Sequence, residues 1–132
     1  MIVDQGLAAR IEWAEAEFIT ACVTALGHRG ETTFTEPLAG GMACYAPLDS
    51  PFTKVVGVGF AGLPPSGDLD AVEARYAAHG GSASFEISTL ADPAVFELLT
   101  ERGYRLLGFE DVLICDLGAA AASPPGDIAV EV

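Results

Sequence analysis

The stretch Thr53-Lys54-Val55-Val56-Gly57-Val58-Gly59-Phe60-Ala61 reads as a strand that is apolar on both faces. Successive side chains of a strand point to opposite sides, so an alternating pattern buries one face and a continuous apolar run buries two. Cover on both sides predicts an interior strand in a sheet with helices packed on each face. Gly57 and Gly59 lower the strand propensity and admit close approach of another backbone.

The flanking segments supply that cover. Leu7, Ile11, Ala14, Phe18, Cys22 and Ala25 recur at steps of three and four and predict a long amphipathic helix over 4–26, with Asp4 as N-cap and Trp13 at the edge of the stripe. Residues 33–38 and 42–46 read as a hairpin around Ala39-Gly40-Gly41. Past the irregular Gly62–Gly67 connection, Asp68 is placed to cap a helix reaching His79, with Leu69, Val72 and Tyr76 as its core stripe. Residues 82–90 alternate as a strand. Asp92-Pro93 opens a third helix that Gly103 closes, and 104–117 reads as a long strand, or as two broken at Gly108. The expected class is α/β (α+β), with a mixed, mostly antiparallel sheet. Residues 1–117 form the expected domain. Residues 118–126 are Ala-, Pro- and Gly-rich and read as a linker, and Ile128, Val130 and Val132 alternate as a fresh strand.

Six basic residues stand against nineteen acidic ones, a formal net charge of −13. That charge repels phosphate backbones and disfavours nucleic acid, while a small cationic ligand is attracted. With 51% apolar and 19% charged residues the composition is globular, and no apolar run approaches the ~20 residues of a membrane span. Cys22, Cys44 and Cys115 are odd in number and far apart, which reads as buried thiols of a reducing compartment; a cytoplasmic location is expected. His28 and His79 have no second ligand at zinc-like spacing, so no metal is expected.

Candidate site residues are few. Glu86 and Ser88 share one face of the 82–90 strand, where a carboxylate could accept an amine, or act as a base if burial raised its pKa. Tyr45 on the hairpin could line a groove. The plainer reading of all three is a half-exposed strand face and a packing tyrosine. Glu110 and Asp111 are adjacent and point apart on a strand. Ser50, Ser66 and Ser123 lack a nucleophile elbow, and Gly57-x-Gly59 lacks the following helix of a dinucleotide site.

One resemblance can be read along the chain. The order helix, hairpin, central strand, helix, strand, helix, strand is similar to the GNAT fold of the N-acetyltransferase superfamily. The local match is carried by Asp92, Val95, Leu98, Leu99, Gly103 and Tyr104, which fall where that family has Asn-x-x-Ala-x-x-Leu-Tyr-x-x-x-Gly-Phe before a strand. The chain most resembles the degenerate N-terminal half of proteins with two such domains in tandem, with Asp127–Val132 similar to the opening strand of a following domain.

The resemblance implies an acetyltransferase-like domain, and three departures from the family point away from catalysis. Where the family binds the acetyl-CoA pyrophosphate with a loop resembling Gln/Arg-x-x-Gly-x-Gly/Ala, this chain has Leu63-Pro64-Pro65-Ser66-Gly67-Asp68. Two prolines remove two N–H donors there, and Asp68 and Asp70 add negative charge. No basic residue lies within that loop. The position of the family's frequent general-acid tyrosine is Leu99. The expectation is a non-catalytic domain that binds no cofactor and supports a catalytic partner or a substrate cleft, by self-association or by docking a second domain of its kind. The alternatives are an active enzyme using acetyl-CoA on a small cationic amine, and a small-molecule binding module.

Overall fold

The computed structural model describes residues 3–47 and 49–115. Helix α1 (Gln5–His28) is followed by strands β1 (Phe34–Leu38), β2 (Gly41–Tyr45) and β3 (Lys54–Val56), then helices α2 (Ser66–Ala78) and α3 (Ala94–Glu101). The three strands form one antiparallel sheet in the order β1-β2-β3, with Phe34 opposite Tyr45, and Cys44 opposite Lys54. On its other edge β3 takes a parallel bridge to Phe85, through Val55 N–H to Ser84 O (2.7 Å) and Glu86 N–H to Val55 O (2.9 Å). The class is α+β with a mixed pairing pattern.

β3 is therefore paired on both edges, and Val55, Val56 and Val58 are at most 1% exposed. Its side chains divide between two cores. Val55 joins Phe34, Leu38, Ala43, Leu69, Val72, Tyr76, Val95 and Leu99, so α2 and α3 cover that face. Val56 joins Cys44, Ala46, Ala16, Ile19 and Val23, so α1 covers the other. Adjacent residues of one strand serve opposite helical layers, as a doubly apolar run requires. Complete burial of each valine contributes about 1.5–3 kcal/mol. Between the layers, the Tyr76 hydroxyl donates to Cys44 O at 2.7 Å, and burial pushes its phenol well above the ordinary range.

Several sequence expectations are corrected. The strand expected over 53–61 stops at Val56, because Gly57 (φ 76°) and Gly59 (φ 100°) turn the backbone; both are buried, and Gly59 O accepts from Asp92 N–H at 2.8 Å. α1 is capped by Asp4, which accepts from Leu7 N–H at 2.8 Å, but its buried residues are Ala8, Ala16, Ile19 and Val23. Of the expected stripe, Ala14, Phe18 and Ala25 are exposed, and Leu7, Ile11 and Cys22 half-buried; Trp13 is exposed too. The helix is alanine-rich on both stripes, and the small face wins because it lets the helix approach the sheet backbone at Gly57. α2 begins earlier than expected: Pro65 is its N-cap and Asp68 lies in the first turn. α3 starts one residue later than expected, with Pro93 and not Asp92 as its N-cap, although Asp92 Oδ1 still accepts from Ala94 N–H at 3.0 Å.

The strand expected over 82–90 is reduced to the Phe85 bridge, because Ser88 begins a turn. That expected over 104–117 has no strand pairing in its described part, residues 104–115. The three thiols are free, with Cys44 buried, Cys22 half-buried and Cys115 exposed against expectation, since it lies in that unpaired segment. The linker and final strand expected over 118–132 lie outside the described residues. Among the described residues no helix is long and apolar enough to cross a membrane.

Gly41 marks the tightest crossing of backbones. A Cβ there would meet Val56 O at 2.2 Å and Gly57 C at 2.8 Å, both main-chain atoms that cannot swing aside. Gly67, at the start of α2, faces open space. Urea denaturation is expected to show Gly41→Ala destabilised by about 3 kcal/mol and Gly67→Ala within about 0.5 kcal/mol of the parent; equal effects would deny the crossing its structural weight.

Candidate functional site

The candidate residues Glu86, Ser88 and Tyr45 do not come together. Tyr45 lies on the α2 face, since β2 alternates Ala43 and Tyr45 toward that core and Met42 and Cys44 toward α1. Its ring stacks on Phe34 (centroids 5.5 Å, planes 9° apart) and lies 4.7 Å from the His79 ring. Its hydroxyl donates to His79 O at 3.3 Å. With Asp49, Ser50, Thr53 and His79 it lines a shallow cavity of about 230 Å³. The polar groups there are largely engaged: Thr53 Oγ1 accepts from Ala46 N–H and donates to Ala46 O, and Ser50 Oγ accepts from Phe52 N–H. His79 Nδ1 donates to Arg75 O at 2.8 Å.

Glu86 lies on the opposite, α1 side of the sheet, because Phe85 takes the α2 side. Its Oε1 is 2.5 Å from Lys54 Nζ, an ion pair that occupies the carboxylate an amine ligand would need. Ser88 is withdrawn into a turn, its Oγ accepting from Leu90 N–H at 3.3 Å and its carbonyl from Ala91 N–H.

Two glutamates not singled out in the sequence join Glu86. Partial burial raises the carboxyl of Glu12 above the ordinary range; Glu15 and Glu86 push it further up, while the Gly57 backbone N–H pulls it down. Burial also raises Glu15, with Glu86 and Glu110 adding to the rise and Lys54 opposing it. On the α1 side of the sheet the Lys54 ammonium thus pairs with Glu86 and opposes the rise of Glu15. The sequence signal was present in Glu12 and Glu15, three apart on a helix, but neither lies on the stripe from which the buried face was expected.

A second polar cluster forms where the resemblance puts the cofactor phosphates. Arg102, the C-cap of α3, reaches the first turns of α2. Its guanidinium donates to Asp70 Oδ1 (2.5 Å), to both carboxylate oxygens of Glu73 (3.1 and 2.7 Å) and to Ser66 Oγ (3.2 Å). Glu73 also accepts from the Tyr104 hydroxyl at 3.0 Å. Arg102 holds the Glu73 carboxyl below the ordinary range, and burial followed by the Glu73 bond raises the Tyr104 phenol. A pyrophosphate does not fit these residues. Pro64 and Pro65 offer no N–H, Asp68 adds negative charge to the first turn, and the Arg102 guanidinium is already bonded to Asp70 and Glu73. Sequence reading missed this staple because Arg102 and its partners are 29 to 36 positions apart. Among the described residues no group of His, Cys, Asp or Glu is arranged to hold a metal ion.

No family model, curated protein or solved structure matches this chain.

The two clusters bias stability with pH in opposite directions. The folded value of Glu12 lies above its unfolded value, so its contribution is complete below the ordinary carboxylate range and is lost as pH rises through the raised value. Glu73 is the reverse: its contribution is present above the ordinary range and is lost as pH falls through the lowered value. At neutral pH, Glu12→Gln is expected to raise Tm by about 1–3 °C and Glu73→Gln to lower it by a few degrees. Melting curves at about pH 7 and pH 4 check this; the Glu12→Gln gain should vanish at the lower pH.

Proposed function

We propose that this chain is a non-catalytic domain of the acetyltransferase-superfamily type, which supports a catalytic partner or shapes a substrate cleft. The element order favours the family: a helix, a hairpin, an interior strand, a helix, a segment bridged to that strand at Phe85, and a helix. The observation that carries the non-catalytic reading is the start of α2. An anion cradle needs free N–H groups and a positive helix end. Here two prolines precede the helix, and its first turns hold Asp68, Asp70 and Glu73. Arg102, the one cation bound to this turn, is committed to two of those carboxylates. Leu99, at the position of the family's frequent general acid, is 6% exposed and packs in the core, where it has no proton to give.

The partner half of the reading rests on residues 105–115, which make no backbone hydrogen bond to any described residue and are rich in exposed apolar side chains. A cationic small-molecule ligand is less favoured, because the Glu86 carboxylate already holds Lys54.

Calorimetric titration of the chain with acetyl-CoA tests the proposal. The expected result is no binding tighter than about 1 mM. Micromolar binding that is lost when residues 62–68 are altered would establish an active or cofactor-holding site and defeat the non-catalytic reading.

A further inference from the structure

Strand pairing stops abruptly at one edge of the sheet. Ser84 O and Glu86 N–H bond to Val55, so Phe85 and Ile87 turn their own backbone N–H and C=O groups away from β3. None of these four groups has a backbone partner among the described residues. Their side chains are held in place nonetheless, packed on the α2–α3 core. An edge that is anchored from within and open outward is a template for another strand.

The same chain carries a segment with the complementary defect. Residues 105–115 make no backbone hydrogen bond to any described residue. On an extended backbone Leu107, Phe109 and Leu113 share one face, and Leu106, Val112 and Ile114 the other. Leu107 and Leu113 are 92% and 93% exposed. A strand that is apolar on both sides belongs inside a covered sheet. Its root is fixed beside the open edge, because the Tyr104 ring meets Phe85 edge-on at 5.0 Å and its hydroxyl is tied to Glu73. Beyond that root residues 105–115 pair with no described strand, and Glu110 passes close enough to Glu15 of α1 to push its carboxyl up.

We propose that two copies of this chain associate by exchanging residues 105–115, each segment adding as a strand to the Phe85–Ile87 edge of the other copy. The proposal deepens the partner half of the reading above and is independent of its acetyltransferase half. A two-fold exchange fills both edges and covers both segments at once, with no third component, because edge and strand are present in equal number in every copy. Charge sets the conditions. Each copy carries −13, Glu110 and Asp111 lie in the exchanged segment, and Glu86 borders the receiving edge. Long-range repulsion therefore opposes the encounter, and salt relieves it.

Sedimentation equilibrium of the full 132-residue chain tests the exchange. The expected result is a dimer whose Kd tightens about tenfold between about 50 mM and 500 mM NaCl. Two variants separate the halves of the joint. Leu107→Asp with Leu113→Asp alters side chains that are exposed in the single copy, so the circular dichroism should stay unchanged while the dimer is lost. Ile87→Pro removes an edge N–H that has no backbone partner among the described residues, and it too should be monomeric. Mixed together, the two variants should form a heterodimer, because the intact segment of one can enter the intact edge of the other. A parent chain still monomeric at about 100 µM and high salt would overturn the proposal. So would a dimer that survives the double aspartate variant, or a mixture that stays monomeric. A monomer with a slowly exchanging Ile87 amide would show the segment closing on its own edge, which also overturns it. Acetyl-CoA binding would defeat the non-catalytic reading and leave the exchange standing.

Discussion

The fold depends on Val55. Its backbone holds Ser84 and Glu86 on one edge, its neighbours Lys54 and Val56 hold β2 on the other, and its side chain fills the α2–α3 core. Without it the segment 84–88 has no strand to follow and α3, which enters through Asp92 on Gly59, loses its seat. A strand of three residues can carry this load because β3 ends in glycines. Gly57, at positive φ, lets the chain turn away under α1, and the space at Gly41 lets β2 lie against that turn. Side chains at these crossings would force the two helical layers apart.

This division of labour explains what the sequence made legible. The doubly apolar run at 55–58 has one physical reading, burial on both faces, and the two separate cores realise it. The core stripe of α2 and the turn that opens α3 were legible for the same reason, since Leu69, Val72, Tyr76 and Asp92 act locally or through a period, whereas the cap of α2 lies at Pro65 and not at the expected Asp68. The face of α1 was not. Two alanine-containing stripes compete there, and what decides between them is a contact with Gly57 some forty positions away. Strand lengths were overread at 53–61, 82–90 and in the described residues 104–115, because apolar alternation records what a segment can bury and carries no information on whether a partner is at hand. The candidate site fared similarly. Tyr45 and Glu86 were real features of the surface, but two-fold alternation in β2 and at Phe85 sends them to opposite sides of the sheet, and only pairing register could reveal that.

Charge is distributed with a similar asymmetry. Nineteen acidic residues over a small chain repel one another, and the structure uses its few cations where that repulsion would open the body. Arg102 ties α3 to the acidic start of α2, Lys54 answers Glu86, and Arg75 pairs with Glu36 at 2.7 Å while its guanidinium lies 4.3 Å from the Phe34 ring centre. Each of these pairs joins elements distant in sequence. Exposed pairs contribute little individually. Their value here is geometric: Arg102 fixes how α3 leaves α2, and with Tyr104 on Glu73 it fixes the direction in which the chain departs toward residue 105.

That direction links the two unsatisfied parts of the molecule. The same Glu73 carboxylate that helps hold Arg102 at the start of α2 also anchors Tyr104 beside the Phe85 edge. A phosphate drawn to Arg102 would compete with Glu73, and Glu73 released would free the root of the exposed strand. An anion at Arg102 and the strand docking proposed above would therefore draw on one carboxylate and oppose each other. A chain that keeps Glu73 engaged favours a fixed strand over a phosphate cradle. One carboxylate thus both occupies Arg102 and holds Tyr104 where the apolar segment begins, so the two features share a single physical cause.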